Sequence, residues 1–462
     1  MAPLRLSEIA AATAGSILRG DGSTVFVSFG IDSRTIEPGG LFFAVVAERD
    51  GHDFVAAAAA RGAAGAVVSR DVAAPHPSFV LLKVRDTVAA LQDLARAVLA
   101  ARPVKVVGIT GSVGKTTTKE FTAALLSPSF RVLKSEANLN NHLGVALSIL
   151  KIEDDHEVAV LEMGMSAPGE IRQLTGIAPP DVAVVTNVAP VHLEFLGTLE
   201  AVAAAKAEIL DGSKSGGTAV LNADDPWVRT FVRRAGGPVI RFGFGEEAEI
   251  RASDLVFLGL DGLRFRLGYD GADRDVRLPF LTDSQVRNLL AALGVARAFG
   301  LPWERLEEAV AGLGPTTKRG TILRLAGGIT VIDDSYNSSP LALESALRGY
   351  AHLPARRRIA VLGDMLELGP EAPRYHEIAG RQAHKFGWDI VAAVGPLART
   401  ITQGARAEGL AASGILEFAT SAEAADALPE FIAPGDLVFV KGSRGVRMER
   451  IVERLSAVFK EN

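Results

Sequence analysis

The chain has 462 residues, a length that predicts two to four domains at roughly 100–200 residues per domain. Hydrophobic residues make up 48% and charged residues 22%, which is typical of a folded chain with a substantial core. A net charge of −5 leaves no basic excess to neutralise a phosphate backbone, so we expect no nucleic-acid partner. The absence of cysteine excludes disulfides, zinc–thiolate sites and a cysteine nucleophile.

No stretch of the sequence predicts a membrane span. The Ala-rich run at 56–68 is too short and is interrupted by Arg61. Residues 12–14 resemble a small-residue cleavage site, but Glu8 falls where the apolar part of a signal peptide would lie. We therefore expect no signal peptide, no membrane insertion and a cytoplasmic location.

The chain divides into three zones, at 1–85, 86–313 and 314–462. The first zone mixes short strands with Ala-rich helix. In the second zone, near-continuous apolar strands alternate with helices, which predicts a parallel sheet covered on both faces. Its predicted elements are strands at 105–110, 157–163 and 181–188 and helices at 115–126 and 200–210.

The pattern changes at 218–280, where apolar and polar residues alternate around the turn Asp270-Gly271 and predict antiparallel hairpins. The third zone returns to strand–helix alternation and predicts a second doubly wound domain. Its predicted elements are strands at 328–337, 357–364, 389–395 and 436–442 and helices at 341–349, at 371–387 and at the chain end.

A glycine-rich turn joins the first strand and helix of the second zone, in the stretch "GITGSVGKTTTKE" (108–120). Backbone N–H groups of such a turn, together with a helix N-terminus, form a phosphate site. Lys115 can neutralise phosphate oxygens, and Thr116 can offer its hydroxyl to Mg²⁺. The usual first glycine of this motif is replaced by Ile109, which predicts a variant phosphate loop spanning 110–116.

A missing guanine-binding motif indicates which nucleotide the loop binds. No asparagine in the chain is followed by lysine, so the Asn-Lys-x-Asp segment that usually reads guanine is missing and ATP is favoured. The simpler interpretation of the turn is a tight strand-to-helix connection with a solvated lysine.

Three further side chains are candidates, and two of them lie at or just after the ends of neighbouring strands of the same predicted sheet. Glu162 ends one strand and is either a Mg²⁺ ligand beside Thr116 or a solvated carboxylate. His192 follows the next strand and, taken alone, is more often a packed histidine. Lys206 lies on an apolar helix face, where it either extends its ammonium to water or becomes a neutral amine that can react with CO₂.

A set of motifs follows in the order that is typical of the Mur ligases, and the chain resembles this family over nearly all of its length. The motifs are "TGSVGKTTTK", "NLNNHLGVALSIL", "EMGMSAPGEI", "TNVAPVHLEFLG", "AAKAEI", "LNADDP", "DDSYNSSP", "LGDMLELG" and "VKGSRGVRME". Within the family, "DDSYNSSP", "LGDMLELG" and the early "DSRTIEPGGLFFAV" point to the branch that adds D-alanyl-D-alanine.

The resemblance implies an α/β fold of three domains: a UDP-sugar domain at 1–85, a central P-loop ATPase with a parallel sheet at 86–313 and a C-terminal Rossmann-like domain at 314–462. It also implies a cytoplasmic reaction of peptidoglycan precursor synthesis. ATP phosphorylates the terminal carboxylate of UDP-MurNAc-tripeptide, and the amine of D-Ala-D-Ala attacks the acyl phosphate. We expect a monomer.

The resemblance also implies roles for residues of this chain. Lys115, His192 and Lys206 are catalytic; Thr116 and Glu162 hold one Mg²⁺; His192 and a carbamylated Lys206 hold a second. Contacts to ATP come from Thr110, Gly111, Ser112, Gly114, Lys115, Thr116, Thr117, Asn288, Arg319, Asp334 and Asn337. Contacts to the UDP-linked substrate come from Asp32, Ser33, Arg34, Asn140 and Asn141.

One stretch departs from the family pattern. The family commonly shows Gly-x-His-Asn before the adenine asparagine, whereas this chain has Thr282-Asp283-Ser284-Gln285 before Asn288. The adenine contact is therefore expected to differ locally, with hydrogen bonds from Ser284 and Gln285 as substitutes.

Alternative functions remain open on the sequence. Another Mur ligase or a folylpolyglutamate synthase would share the loop and the lysine. A P-loop switch or a kinase-like regulator would bind nucleotide without forming an amide. A degenerate binding protein is disfavoured because Lys115, Thr116, Glu162, His192 and Lys206 occur together.

Overall fold

The protein was analysed as a computed structural model that describes residues 3–136, 139–315 and 318–460. Among these residues the strands form sheets of two, five, nine and six strands. Helices cover the larger sheets, so the fold class is α/β, as predicted. None of the helices in the described ranges combines the length and apolarity needed to cross a bilayer.

The N-terminal part combines a short antiparallel ribbon with the five-stranded sheet. Its elements are β1 (Leu4–Arg5), α1 (Leu6–Ala12), β2 (Ser16–Arg19), β3 (Val25–Phe26), β4 (Phe29–Gly30), β5 (Leu41–Phe43), α2 (Val55–Ala60), β6 (Gly65–Val68), β7 (Val80–Lys83) and α3 (Thr87–Ala100). The strand order is β2-β7-β6-β5-β4, and β2 is antiparallel to β7 while the others are parallel. The carboxylate of Asp86 caps α3 by accepting the N–H groups of Val88 and Ala89.

The central part is built on the nine-stranded sheet. Its elements are β8 (Lys105–Thr110), α4 (Lys115–Leu126), β9 (Val132–Lys134), α5 (His142–Ile149), β10 (Val158–Glu162), α6 (Glu170–Ile177), β11 (Val182–Val185), α7 (Leu193–Leu196), α8 (Leu199–Asp211), β12 (Thr218–Asn222), β13 (Val239–Gly243), β14 (Ile250–Phe257), β15 (Leu263–Tyr269), β16 (Ala272–Leu278), α9 (Asp283–Ala298) and α10 (Glu307–Ala311). The strand order is β16-β15-β14-β13-β12-β11-β8-β10-β9. The predicted helix at 115–126 has the bounds of α4, and each predicted strand before residue 190 contains the observed one.

The hairpin prediction for 218–280 is wrong in its first half. β12, β13 and β14 extend the parallel sheet, and in this region only the pairs β14–β15 and β15–β16 are antiparallel. β12 is almost wholly buried, as expected for a strand covered on both faces, and α9 packs against it. The predicted turn at Asp270-Gly271 joins β15 to β16, with φ of 52° and 74° at its two residues.

The C-terminal part is built on the six-stranded sheet. Its elements are β17 (Thr321–Leu325), β18 (Ile329–Asp334), α11 (Pro340–Tyr350), β19 (Arg358–Gly363), α12 (Ala372–Lys385), β20 (Ile390–Val394), α13 (Ala398–Ala407), β21 (Ile415–Phe418), α14 (Ser421–Ala427), β22 (Leu437–Lys441) and α15 (Glu449–Val458). The order is β17-β18-β22-β19-β20-β21, parallel except for the edge strand β17. This is the predicted doubly wound arrangement, with β17 as an addition that the sequence pattern did not predict.

Strand register brings several polar side chains to the carboxyl ends of both sheets, where ligands of α/β folds bind. In the nine-stranded sheet, Glu162 pairs with Ile109 and Val185 pairs with Thr110, so β8, β10 and β11 end together. In the six-stranded sheet, Asp334 at the end of β18 is the register partner of Lys441 in β22. These two edges border a common cavity.

Candidate active site

The glycine-rich turn between β8 and α4 depends on two glycines for its shape. Gly114 caps α4 with a φ of 88°, and a Cβ there would lie 2.2 Å from Oδ1 of Asn288. Gly111 has a φ of 148°, and a Cβ there would lie 1.9 Å from Oγ1 of Thr186. A side chain at either position would meet both an unfavourable backbone conformation and a steric clash. The loop therefore requires glycine at both positions.

The segment after β11 holds the same loop from its other side. Val113 donates its N–H to Oδ1 of Asn187 at 2.9 Å and accepts from Nδ2 of that residue at 2.9 Å. The Ser112 hydroxyl donates to the carbonyl of Ala189 at 3.1 Å. These bonds involve the chain alone, so the loop has its shape before any ligand binds. The sequence did not predict this contact of Asn187 with the loop.

Lys115 begins α4 and lines the cavity beside the loop. Its Nζ donates to the carbonyl of Gly111 at 2.7 Å. Burial lowers the pKa of Lys115; the nearby carboxylate of Glu162 raises it, and the guanidinium of Arg319 lowers it further. The ammonium is thus held over the loop, where an anionic ligand would supply it with a stronger partner.

Oxygen atoms of Thr116 and Glu162 meet at the floor of the cavity. The Thr116 hydroxyl donates to Oε2 of Glu162 at 2.8 Å, and Nδ2 of Asn140 donates to Oε1 at 2.9 Å. Glu162 is buried, and its N–H donates to Oγ of Ser135 at 3.0 Å. Two neighbouring ligands of an octahedral Mg²⁺ lie about 2.9 Å apart when each is about 2.0–2.1 Å from the ion. The separation of the two oxygens therefore fits a shared Mg²⁺.

His192 and Lys206 lie on the segments after β11. His192 precedes α7, lines the cavity, and has its Nδ1 2.5 Å from Oε2 of Glu367. Lys206 is 2% exposed within α8 and is not one of the cavity-lining residues. Burial lowers the pKa of Lys206 well below its usual value, and the charge of Lys115 adds to this.

The opposite wall comes from the six-stranded sheet and the segment before it. Nη2 of Arg319 donates to the Thr116 hydroxyl at 3.1 Å, while its guanidinium lies 4.3 Å from the ring centre of Tyr336. Nζ of Lys441 donates to Oδ2 of Asp334 at 2.7 Å and to the carbonyl of Asn337 at 3.0 Å. Burial raises the pKa of Asp334, and Lys441 opposes that effect.

The cavity between these walls has a volume of about 390 Å³. Ten of the predicted site residues line it: Ser112, Gly114, Lys115, Thr116, Asn140, Glu162, His192, Arg319, Asp334 and Asn337. Residues that line it and received no role from the sequence include Tyr336, Glu367, Lys441, Ser443 and Arg444. Four of these five lie in the quoted motifs "DDSYNSSP" and "VKGSRGVRME", and the fifth in "LGDMLELG", so the motifs located them without indicating their function.

Several predicted residues lie elsewhere. Thr110, Gly111 and Thr117 belong to the loop and the start of α4 but do not line the cavity. Oδ1 of Asn141 caps α5 by accepting the N–H of Gly144 at 2.8 Å. Oδ1 of Asn288 faces the back of the loop and accepts from the Thr118 hydroxyl at 3.4 Å.

The residues before Asn288 that depart from the family pattern form a helix cap. Oε1 of Gln285 accepts the N–H groups of Leu281 at 2.8 Å and Thr282 at 3.1 Å, and Thr282 caps α9. The Ser284 hydroxyl contacts that of Thr282 at 2.9 Å. These side chains therefore organise the start of α9 rather than facing the cavity.

Asp32, Ser33 and Arg34 form a turn after β4 and do not line the cavity. Oδ1 of Asp32 accepts the N–H of Arg34 at 2.9 Å, and the two side chains form an ion pair at 2.7 Å. These bonds lower the pKa of Asp32 to about 2. The Arg34 side chain is 86% exposed, so its guanidinium is accessible to an anionic ligand.

Comparison with known proteins covers almost the whole chain. Residues 109–296 match the Mur ligase middle domain, and residues 318–444 match the glutamate ligase domain of Mur ligases. The chain is 34% identical to the UDP-N-acetylmuramoyl-tripeptide–D-alanyl-D-alanine ligase of Bacillus subtilis, over 94% of this chain and 93% of that protein.

Solved structures give the same result. MurF from Acinetobacter baumannii superposes with a TM-score of 0.90 at 29% identity, covering 99% of each chain. MurF from Thermotoga maritima in complex with ADP superposes with a TM-score of 0.82 at 32% identity, covering 93% of this chain and 97% of that one. The loop, the two facing sheet edges and these similarities agree, and the chain belongs to the Mur ligase family.

Proposed function

We propose that this protein is an ATP-dependent ligase that joins D-alanyl-D-alanine to UDP-N-acetylmuramoyl-tripeptide in the synthesis of peptidoglycan precursors. The observation that carries the proposal is the cavity between the two sheet edges. A preformed phosphate loop with Lys115 lies on one wall, and Arg319 reaches from the other wall to Thr116. Relatives with 34% identity over nearly the full length carry this activity in their names.

The chemistry explains why such a cavity needs positive charge. A peptide carboxylate resists attack by an amine because its carbon is a poor electrophile and oxide is a poor leaving group. Transfer of the γ-phosphoryl group from ATP to a carboxylate oxygen releases ADP and gives an acyl phosphate. The amine of D-alanyl-D-alanine then attacks the acyl carbon, loses a proton, and displaces phosphate. Lys115 and Arg319 offset the repulsion among the anionic groups in the first step.

We also propose that two Mg²⁺ ions belong to this site. Thr116 and Glu162 would hold one, since their oxygens are 2.8 Å apart. His192 and a carbamylated Lys206 would hold the other. Burial lowers the pKa of Lys206, which favours the neutral amine, the form that adds CO₂. Bound Mg²⁺ supplies positive charge that polarises the phosphates.

The remaining assignments are part of the same proposal. The UDP-sugar domain spans 1–85, the ATPase domain 86–313 and the C-terminal domain 314–462. Asp32, Ser33, Arg34, Asn140 and Asn141 would contact the UDP-linked substrate. Nucleotide contacts would come from Thr110, Gly111, Ser112, Gly114, Lys115, Thr116, Thr117, Asn288, Arg319, Asp334 and Asn337. A cytoplasmic location and a monomeric state stay predictions.

The proposed function is tested by a screen of donors and acceptors with product mass as the readout. ADP release should require both UDP-N-acetylmuramoyl-tripeptide and D-alanyl-D-alanine, and the product should have the mass of the pentapeptide. Turnover with a single amino acid would indicate another Mur ligase. Turnover with a folate and glutamate would indicate a folylpolyglutamate synthase. Nucleotide binding without any amide product would indicate a switch.

Carbamylation of Lys206 has its own test. Lys206→Ala should reduce ligation strongly, and small carboxylic acids should restore part of it, because they can occupy the space of the carbamate. Lys214→Ala is a matched control, since that lysine is partly exposed and pairs with Asp181 at the far end of α8. Full activity of Lys206→Ala without any additive would exclude the carbamate.

A further inference from the structure

Two arginines of the cavity face one aromatic ring. The guanidinium carbon of Arg319 lies 4.3 Å from the ring centre of Tyr336, and that of Arg444 lies 5.6 Å from the same ring centre. All three residues line the cavity. Both distances fall within the range of about 6 Å in which the negative face of a ring attracts a cation. A single ring therefore attracts both guanidinium groups.

The order of three strands explains why these side chains meet. In the six-stranded sheet, β18 lies between β17 and β22. Tyr336 follows β18, Arg319 precedes β17, and Arg444 follows β22. Because β17 is antiparallel to β18, its start lies beside the end of β18, with Thr321 opposite Asp333. The parallel pairing of β18 with β22 brings the carboxyl ends of these two strands together as well.

The turn before β17 is also fixed by its backbone. The N–H of Gly320 donates to the carbonyl of Asp333 at 3.0 Å, and that of Tyr336 donates to the carbonyl of Lys318 at 3.4 Å. Gly320 has a φ of 84°, and a Cβ there would lie 2.6 Å from Oη of Tyr350. The backbone therefore holds this turn against Tyr336, and the ring has only to orient the guanidinium group.

A ring and a carboxylate affect a cation differently. Lys441, on the same wall, pairs with Asp334 at 2.7 Å, so its charge is largely neutralised. Among the residues that the structure describes, neither Arg319 nor Arg444 takes part in an ion pair. A neutral ring adds no opposing charge, and stacking leaves the N–H donors at the edge of the guanidinium group free. The two arginines therefore keep their charge and most of their donors for a ligand.

We propose that Tyr336 is a positioning residue: its ring orients the Arg319 guanidinium toward Thr116 and leaves its charge available to the phosphates of ATP, with Arg444 as a second, more distant partner of the ring. Nη2 of Arg319 reaches the Thr116 hydroxyl at 3.1 Å in this orientation. The inference rests on the proposed function, in which Arg319 offsets the repulsion among anionic groups. It adds the reason why this arginine is oriented without being neutralised.

The first test measures ATP binding by calorimetry and needs no turnover. Tyr336→Leu should weaken ATP binding by about three- to thirtyfold, the range of a cation–π contact. Tyr336→Phe should keep the affinity within about twofold, because it keeps the ring. In an Arg319→Met background, Tyr336→Leu should have little further effect, since it acts through that arginine. A full loss in that background would mean that the ring contacts the nucleotide itself, and it would overturn the proposal.

The second test separates the charge of the ring face from the shape of the ring. Phenylalanines with one, two or three ring fluorines replace Tyr336, because fluorine weakens the negative face while the ring keeps nearly the same size. ATP affinity should fall stepwise with the number of fluorines. A flat response would indicate a merely structural role and contradict the proposal. The series keeps the test decisive if Tyr336→Leu does not fold.

Phe299 is the matched control position for the fluorine series. Its ring lies 5.5 Å from Nζ of Lys105, which is at the end of β8 away from the phosphate loop, and it does not line the cavity. The same fluorinated residues at Phe299 should leave ATP affinity unchanged. A stepwise loss at both positions would show that the fluorines act on the protein as a whole, and the role of Tyr336 would be refuted.

Turnover gives the third measurement. Tyr336→Leu should lower kcat for ligation by about tenfold at saturating ATP, because Arg319 is no longer held toward the reacting phosphate. The KM for D-alanyl-D-alanine should stay within about twofold. A raised KM for the dipeptide with normal ATP affinity would assign the ring to the acceptor and overturn the proposal. If the unaltered protein does not ligate, the proposed function fails, whereas the binding measurements still decide the role of Tyr336.

Discussion

The two walls of the cavity are held by different kinds of contact. On the loop wall, Val113 and Ser112 bond to the segment after β11, and Gly111 and Gly114 leave no space for a methyl group. On the opposite wall, charged side chains pair with one another, as Lys441 does with Asp334. Loss of a charge should therefore change the stability of the loop wall little, whereas an added methyl group should lower it. On the opposite wall, loss of a charge should lower the stability.

Replacement of Lys115 gives the largest expected effect and separates activity from stability. Lys115→Ala should reduce ligation by about 10³-fold or more, equivalent to about 4 kcal/mol of transition-state stabilisation. The melting temperature should change little, because the bonds of Ser112 and Val113 to the segment after β11 hold the loop without this side chain. Turnover assays and thermal unfolding on the same preparation measure both quantities.

Lys134→Ala is the control for this prediction. That lysine lies near α4 and pairs with Glu120, but it is 47% exposed on the surface. Its loss should leave both turnover and stability close to those of the unaltered protein. Turnover near the normal rate in Lys115→Ala would remove the lysine from the mechanism, and a large loss of stability would show that the loop wall does depend on charge.

The second-largest effect is expected at Lys441, on the opposite wall. Lys441 is 4% exposed, and its removal in Lys441→Met leaves Asp334 buried without its cation. Loss of one partner from a buried pair costs about 3–5 kcal/mol of unfolding free energy. Chemical denaturation measures this loss of unfolding free energy. Lys214→Met is the matched control, because that lysine pairs with Asp181 at 2.8 Å while 42% exposed, and its loss should cost less than about 1 kcal/mol.

The pH dependence of Lys441→Met gives a sharper test of the same pair. Burial raises the pKa of Asp334, and Lys441 lowers it, so the variant should have an even higher folded-state pKa. The folded variant then binds a proton more tightly than the unfolded chain, whose aspartate pKa is about 3.9. Its stability therefore falls as pH rises through these values. The destabilisation relative to the unaltered protein should be smallest near pH 4 and largest near pH 8.

The sequence predicted the elements that have a clear local pattern and missed those that depend on tertiary contacts. Buried strands of the nine-stranded sheet are continuous apolar runs, so β8, β10 and β11 were predicted within a few residues. The short β12 was assigned to hairpins because the strong alternation and Asp-Gly turn downstream dominated the pattern. The edge strand β17 is only partly buried and has no clear periodicity. Its pairing with β18 is a tertiary contact that local pattern does not encode.

The site residues also fall into those that local sequence predicts and those that only tertiary contacts identify. Lys115, Thr116 and Glu162 lie at a strand end or on the adjacent loop, where local sequence predicts both position and role. Glu367 and Lys441 received no role because their contacts depend on which side chain lies opposite. For Glu367 that partner lies across the cavity, at His192, and only the packed structure brings the two together.

The smallest expected effect, and the finest test of the loop wall, is a single methyl group at Gly114. Gly169 has nearly the same backbone, with φ of 86° against 88°, but a Cβ at Gly169 meets nothing within 4 Å. Gly169→Ala should therefore cost only the conformational penalty of about 1 kcal/mol. Gly114→Ala should cost about 1–2 kcal/mol more, because its Cβ would lie 2.2 Å from Oδ1 of Asn288. Adding Asn288→Ala should recover much of that difference in a double-mutant cycle measured by denaturation. Equal costs at the two glycines would mean that the loop can move away from α9, and the loop wall would then be no more rigid than the wall opposite.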